Sequence, residues 1–288
     1  MQTKELIVKI RNIYCHYPKE EAPALEILSL DIEKGNIYFF IGESGVGKST
    51  ALEALGLMNN IIKNNGDSEF NYFIDGHTYD AFRLWKSFRN GVAGFRRKHL
   101  SFIFQNTNML NTLSAYQNAY IGRVLQADDL NTAKKSATDM LRKIFIRKQA
   151  IGKEKKELEA TVNRITKNKI SASSLSGGQR QRLAFVRAMI IDYDILFADE
   201  PTGNLDHANA VNLMTQLKDH IKAKEGTAII VSHDLALARE YGDRIVVLQK
   251  REKEWNGKMH SYGFIDENSV FHKTASGWFN AATNKELS

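Results

Sequence analysis

Nine residues, Gly42 to Thr50, read GESGVGKST. The spacing G-x-x-x-x-G-K-[ST] suits phosphate chemistry for a physical reason. Its glycines let the backbone curl until successive N–H groups face inward on an anion, and the helix that follows adds its positive N-terminal end. Gly42, Ser44, Gly45 and Gly47 would form such a cradle. Lys48 would set an ammonium against the β- and γ-phosphates of a nucleotide, and the Ser49 hydroxyl could ligate Mg²⁺ beside Thr50. A second motif, LSGGQ, runs from Leu175 to Gln179 and opens the helical pattern RQRLAFVRAMI. Ser176, Gly177, Gly178 and Gln179 offer another set of N–H groups at a helix start, this time without a lysine. One chain has no use for two cradles on its own nucleotide. Two copies arranged head-to-tail do, each nucleotide lying between the first cradle of one and the second of the other.

Several elements must hold these motifs in place. NIYFFIG is a short unbroken apolar run leading into the first glycine loop, and STALEALGLM after it has helical spacing. That order, strand then loop then helix, is expected for a buried parallel strand feeding a phosphate site. Upstream, LIVKIRNIY and LEILSLDIE alternate apolar and polar residues, which predicts two half-exposed strands. From Asn118 to about Lys169 the pattern turns amphipathic, with Leu130, Ala133, Ala137, Leu141, Ile144 and Phe145 at three- and four-residue steps. The α/β rhythm resumes with RQRLAFVRAMI, DILFAD, ANAVNLMTQLKDHIKA, TAIIVS, LALAREY and RIVVLQ. The expected fold is α/β: a P-loop NTPase core with a mostly parallel sheet, an N-terminal antiparallel β layer and an inserted α-helical subdomain. We place one domain at 1–250, with its helical subdomain at about 106–175, and a C-terminal hairpin and tail at 251–288. Asn256-Gly257 is a two-residue hairpin signal. Val270, Phe271, Trp278 and Phe279 are too few for a domain, but enough to fold back on their own unit or to dock a partner.

The composition is that of an ordinary globular protein, with 43% hydrophobic and 25% charged residues among 288. One cysteine, Cys15, excludes an internal disulfide and a multi-thiolate zinc site, and fits a reducing, cytoplasmic setting. MQTKELIVKIRN lacks the apolar core of a signal peptide, and no stretch is apolar for long enough to span a bilayer. The net charge of +7 is local: residues 141–169 hold ten Lys/Arg and three acids, 10 − 3 = +7. A solvated helix face, attractive to anionic headgroups, accounts for this excess, and nucleic acid is not an expected partner.

Taken together, these motifs resemble the ATP-binding cassette family along the chain to about Gln249. The resemblance implies roles for residues whose spacing alone leaves other readings open. In ILFADE, Asp199 would hold the Mg²⁺ shell with Ser49 and Gln105, and Glu200 would polarise the attacking water, although two acids after a strand can also cap a helix. Gln105 in SFIFQ would sense Mg²⁺ and the γ-phosphate, Asp206 in GNLD would cross the dimer interface, and His233 in VSHD would contact the γ-phosphate. Tyr17 is similar to the aromatic that stacks on adenine, though such a residue can equally be core. ADEPTGNLD and SFIFQNTNML resemble the cassettes of lipoprotein release, MacB-type efflux and FtsE-type cell division. KNKISASS departs from them in lacking the usual proline, the helical region is more basic, and the tail is longer. The resemblance implies an ATPase working as a homodimer, peripheral on the inner face of the cell membrane, that drives a separate transmembrane permease-like subunit. A DNA-repair cassette would need long coiled coils or cysteine-rich modules, a translation-type cassette a second P-loop, and a non-hydrolysing regulator has no use for Glu200 and His233.

Overall fold

The two alternating runs before Asn36 become paired strands of one sheet, and the unbroken apolar run after it a strand of another, in a computed structural model, which describes residues 5–287 except 21, 65, 88–90, 147–149, 168–169 and 204. Parts of the basic segment 141–169 and of GNLD therefore lie outside the described residues. In chain order the elements are β1 (Leu6–Cys15), β2 (Leu25–Glu33), β3 (Ile37–Ile41), α1 (Lys48–Leu55), β4 (Ile62–Lys63), β5 (Glu69–Ile74) and β6 (His77–Asp80). They continue with α2 (Ala81–Lys86), α3 (Val92–His99), β7 (Leu100–Ile103), α4 (Ala115–Leu125), α5 (Leu130–Phe145), α6 (Gly152–Thr166), α7 (Gly177–Met189) and β8 (Ile195–Asp199). The last are α8 (His207–Ala223), β9 (Thr227–Val231), α9 (Leu235–Tyr241), β10 (Arg244–Val247), β11 (Gln249–Trp255), β12 (Lys258–Ile265), β13 (Val270–Lys273) and β14 (Trp278–Asn280). The chain divides into two compact units, residues 1–96 with 224–288, and residues 97–223.

In the first unit, β1 and β2 pair antiparallel and bury Val8, Ile10, Ile13, Leu25, Ile27, Leu30 and Ile32. They belong to a sheet ordered β11-β12-β2-β1-β5-β6, with β4 also on β1. Segment 60–80, which carries no strand expectation above, supplies β4, β5 and β6, and β5 alternates half-buried and buried residues. Asn256 (φ 51°) and Gly257 (φ 76°) close the β11/β12 hairpin, the left-handed pair that a tight I′ turn demands. Its second strand runs parallel to β2, with Gly263 opposite Leu25. The other strands of this unit lie in the order β14-β13-β10-β3-β9. β10, β3 and β9 are mutually parallel and almost wholly buried, as both-face coverage requires. The tail adds β13 and β14 antiparallel at the β10 side and buries Phe271 and Trp278. Asn280, 1% exposed, fixes that edge: its amide donates to the carbonyls of Glu267 and Val270, and its oxygen accepts from the N–H of Ala282 and Thr283. Phe271 and Trp278 of the tail are thus buried in their own unit.

In the second unit, β7 and β8 pair in parallel, with Ile103 opposite Ala198. Helices α4, α5 and α7 pack against one another, and α5 buries Ala133, Ala137, Leu141, Ile144 and Phe145, the stripe its periodicity announces. A capping box starts α4: the Ser114 hydroxyl accepts from the Gln117 N–H, and the Gln117 side chain accepts in return. Residues 152–157 at the start of α6 are exposed, lysines included, as a solvated face would be.

Candidate functional site

β3 delivers Gly42 from a buried strand, and the chain then turns through Gly45 (φ 79°) and Gly47 (φ 95°), both left-handed. Space as well as backbone angle restricts Gly47, where a Cβ would lie 3.2 Å from the Ala24 carbonyl oxygen. Gly47 is also the N-cap of α1, which has no side-chain cap and no acid in its first turn. The helix start therefore keeps its positive end uncompensated by its own side chains, the condition for an anion site. Lys48 is 9% exposed, and its ammonium donates to the carbonyls of Gly42 and Glu43 at 2.8 Å each. The charge is folded into the mouth of the loop. Ser44 and Ser49 are exposed, whereas Thr50 is buried.

Register brings a second residue to the same edge. Phe40 of β3 pairs with Val231 of β9, so the glycine loop and His233 leave the carboxyl ends of adjacent parallel strands, where ligands of such sheets bind. His233 is exposed on a bend fixed on either side: the Ser232 hydroxyl accepts from the Asp234 N–H, and the Asp234 carboxylate caps α9 through the Leu237 N–H. Tyr17, half-buried two residues beyond β1, donates its hydroxyl to the Glu53 carboxylate of α1 at 2.9 Å. Burial raises its pKa, with the Thr50 contact opposing and Glu53 adding to the rise.

The second unit repeats the logic. Gln105 follows β7, and Asp199 ends β8, so both leave the carboxyl ends of neighbouring parallel strands. Glu200 has φ 42° in a turn closed by the Gly203 N–H on its own carbonyl. A non-glycine residue held left-handed costs on the order of 1 kcal/mol, the kind of strain that clusters at working sites. Ser176 caps α7 in a second capping box: its hydroxyl accepts from the Gln179 N–H, and the Gln179 side-chain oxygen accepts from the Ser176 N–H. A Cβ on Gly177 would meet nothing within 4 Å, so this chain's own packing does not demand a glycine there. Gln181 of α7 donates to the Pro201 carbonyl, tying the signature helix to the turn after Glu200. Asp206 accepts from both the backbone and the side chain of Asn209, which in turn accepts from Arg182. Asp206 is therefore tied into the first turn of α8.

Three residues that touch these motifs within their own units escape a motif reading: Glu53, Arg187 and Gly263. Arg187 of α7 donates to the carbonyls of Thr107 and Asn108, two consecutive left-handed residues just past Gln105. Gly263 of β12 lies so close to the glycine loop that a Cβ on it would come 2.0 Å from the Val46 carbonyl oxygen. A glycine inside MHSYGFI signals close backbone approach, but not the segment approached.

A glycine loop that curls a lysine between a buried parallel strand and an uncapped helix is the mark of P-loop nucleotide-binding proteins. Within that class the chain belongs to the ABC transporter family, whose model matches residues 25–203. It is an ATP-binding cassette, and its chemistry is ATP hydrolysis. Among similar proteins, the uncharacterized ABC transporter ATP-binding protein MJ1508 of Methanocaldococcus jannaschii is 32% identical over 249 residues, covering 85% of this chain and 97% of that one. The lipoprotein-releasing system ATP-binding protein LolD of Ehrlichia chaffeensis is 29% identical over 273 residues, 93% of this chain and 98% of that one. The macrolide export ATP-binding/permease protein MacB of Haemophilus ducreyi is 29% identical over 248 residues, and the match spans only 31% of its length. The dimeric structure of the bacterial ABC transporter cassette MJ0796 superposes with a TM-score of 0.66 at 26% identity, over 84% of this chain and 94% of that one. A related structure of MJ0796 is a dimeric post-hydrolysis state bound to ADP and Pi, with a TM-score of 0.66 at 25% identity, over 88% and 98% of the two chains.

Proposed function

We propose that this cassette hydrolyses ATP as a head-to-tail pair of identical chains and drives a separate transmembrane permease-like subunit from the inner face of the cell membrane. The observation that carries the pairing is the presence of two phosphate-type helix starts in one chain, α1 behind Gly47 and α7 behind Ser176. The open space around Gly177 supports it, because a close-approaching nucleotide on the partner explains a glycine that internal packing does not. In this reading Gly42, Ser44, Gly45, Gly47, Lys48, Ser49 and Thr50 hold the triphosphate, and Tyr17 stacks on the base. Ser176, Gly177, Gly178 and Gln179 close on the γ-phosphate of the partner's nucleotide, and Asp206 lies at the seam.

Ser49, Gln105 and Asp199 would hold Mg²⁺, which neutralises developing charge on the phosphates when bound. Their hard oxygen atoms suit that ion. Among the described residues no cluster of three or more His, Cys, Asp or Glu could hold a metal, and a Mg²⁺ shared with phosphates and water needs none. Glu200 orients and deprotonates the attacking water, and His233 contacts the γ-phosphate as charge builds. The MJ0796 structures, dimeric and in one case carrying ADP and Pi, support the same arrangement. The likeness to LolD, the ATP-binding protein of a lipoprotein-releasing system, and to part of MacB, an ATP-binding/permease protein, supports a membrane partner. Among the described residues no helix is long and apolar enough to cross a membrane.

The test is Glu200→Gln, which removes the base while keeping the size of the side chain. Turnover should fall by roughly 100-fold or more, ATP binding should persist, and gel filtration with ATP and Mg²⁺ should show a stable dimer. Only monomer under those conditions, with wild type still turning over, would count against the paired mechanism.

A further inference from the structure

Tyr17 stands just past the end of β1 and before Pro18, which restricts the backbone at this point. Its hydroxyl donates to Glu53 Oε2 at 2.9 Å and lies 3.4 Å from Thr50 Oγ1. The same Glu53 oxygen accepts from the Asn59 amide at 2.9 Å. Thr50 and Glu53 sit three residues apart on α1, one turn along a single face of the helix. That helix also presents its N-terminus to the phosphate loop, with Lys48 as its first residue. The ring's polar tip is thereby tied to the element that takes the phosphates, while the ring itself is half-exposed.

We infer that Glu53 is a positioning residue for the nucleotide's base. By gripping the Tyr17 hydroxyl, it fixes the aromatic platform at a set distance from the phosphate loop, so that one helix gauges both ends of the nucleotide. The inference rests on the reading of Tyr17 as the stacking platform. It also explains why a tyrosine serves where a phenylalanine has the same stacking face: the hydroxyl is the handle. An unanchored ring must be ordered each time a nucleotide binds, and that cost falls on affinity for the base alone.

The experiment measures binding of ATP and of inorganic tripolyphosphate to the full chain. The variants are Tyr17→Ala, Tyr17→Phe, Glu53→Ala, Glu53→Gln and the double Tyr17→Phe/Glu53→Ala. Tripolyphosphate engages the phosphate loop but has no base. Tyr17→Ala should weaken ATP most and leave tripolyphosphate unchanged. Tyr17→Phe and Glu53→Ala should each raise the Kd for ATP by up to roughly tenfold, the worth of one hydrogen bond to a charged group, with tripolyphosphate unchanged. The double variant should be no weaker than either single one, because both remove the same bond. Glu53→Gln retains an acceptor and should restore near-normal ATP affinity. If Tyr17→Ala weakens ATP while Tyr17→Phe and Glu53→Ala bind as wild type, the anchoring is wrong and the platform stands. If Tyr17→Ala leaves ATP binding intact, the platform itself is wrong and the anchoring goes with it. Equal loss of ATP and tripolyphosphate in Glu53→Ala would assign Glu53 to the phosphate loop and overturn the inference. Tyr17→Phe cuts the bond without touching α1, so misfolding of Glu53→Ala would not spoil the test.

Discussion

The chemical groups of this cassette are held by short local devices. Lys48 is gripped by two carbonyls of its own loop, Ser176 and Gln179 by each other, and Asp206 by Asn209. Each grip fixes a side chain before any ligand arrives, which lowers the ordering cost of binding. Cys15 gives an independent view of this neighbourhood, two residues before Tyr17. It is fully buried on β1 between β2 and β4, and burial pushes its thiol up to about 12, with the Glu53 charge adding to the rise. A raised thiol pKa keeps the reactive thiolate scarce at neutral pH. Alkylation of the native protein should therefore be slow at pH 8, and should climb about tenfold per pH unit up to pH 10 without levelling. An ordinary exposed thiol levels off above roughly 8.5. Labelling with iodoacetamide, followed by mass spectrometry with and without guanidinium, reads this directly. Fast native labelling with a plateau near 8.5 would mean that the end of β1 opens readily, which a fixed platform at Tyr17 would not allow.

Among the elements, β12 is the one whose position has most consequence for the site. It runs parallel to β2, its Gly263 N–H donates to the Ala24 carbonyl at 3.0 Å, and it leaves no room for a side chain above Val46. Gly263→Ala must displace either the strand or the phosphate loop, and overpacking of this kind costs about 1–3 kcal/mol. We expect a lower melting temperature together with weaker ATP binding and less stabilisation by ATP in thermal melts. A variant with wild-type melting and affinity would show that the hairpin gives way without disturbing the loop. Nothing in the sequence of residues 258–265 reveals this contact, because it depends on a pairing with β2 across more than two hundred residues of chain. What was legible has local causes. The P-loop, LSGGQ and the two acids after ILFA are defined by residues a few positions apart, and α5 shows its buried stripe at three- and four-residue steps from Ala133 to Ile144. Less legible were α2, only six residues long, and α3, VAGFRRKH, whose charges and Gly94 hide any apolar stripe. β13 and β14 are four and three residues long and become strands only because β13 adds to β10 and β14 to β13. A strand that short has no period to read.

At the scale of the whole molecule, the energy of ATP hydrolysis has to leave the chain through a contact. Among the described residues no helix is long and apolar enough to cross a membrane, and Phe271 and Trp278 of the tail are buried in their own unit. In the proposed function the stretch after Gln105 is the surface that would present such a contact. Leu110 is 49% exposed and Met109 is half-buried beside it. Arg187 holds the backbone before them at Thr107 and Asn108. Asn118, with no exposure, holds the backbone after them: its oxygen accepts from the Leu110 N–H, and its amide donates to the carbonyls of Leu110, Leu113 and Ser114. Met109 and Leu110 thus form a small apolar spot on a backbone pinned at both ends, and in the function proposed above it would receive a short amphipathic helix of the membrane subunit. Arg187 lies on the helix opened by LSGGQ, so in the proposed function α7 would be the element that carries a push on Met109 and Leu110 toward the nucleotide. Met109→Glu with Leu110→Glu should leave the isolated cassette's ATPase activity near wild type, since neither side chain has a part in the chemistry. The same double variant should lose co-purification with the membrane subunit, because burying two carboxylates against an apolar helix costs several kcal/mol. Retained co-purification would move the coupling surface away from this loop. Loss of ATPase activity in the isolated variant would instead make the loop part of the catalytic frame.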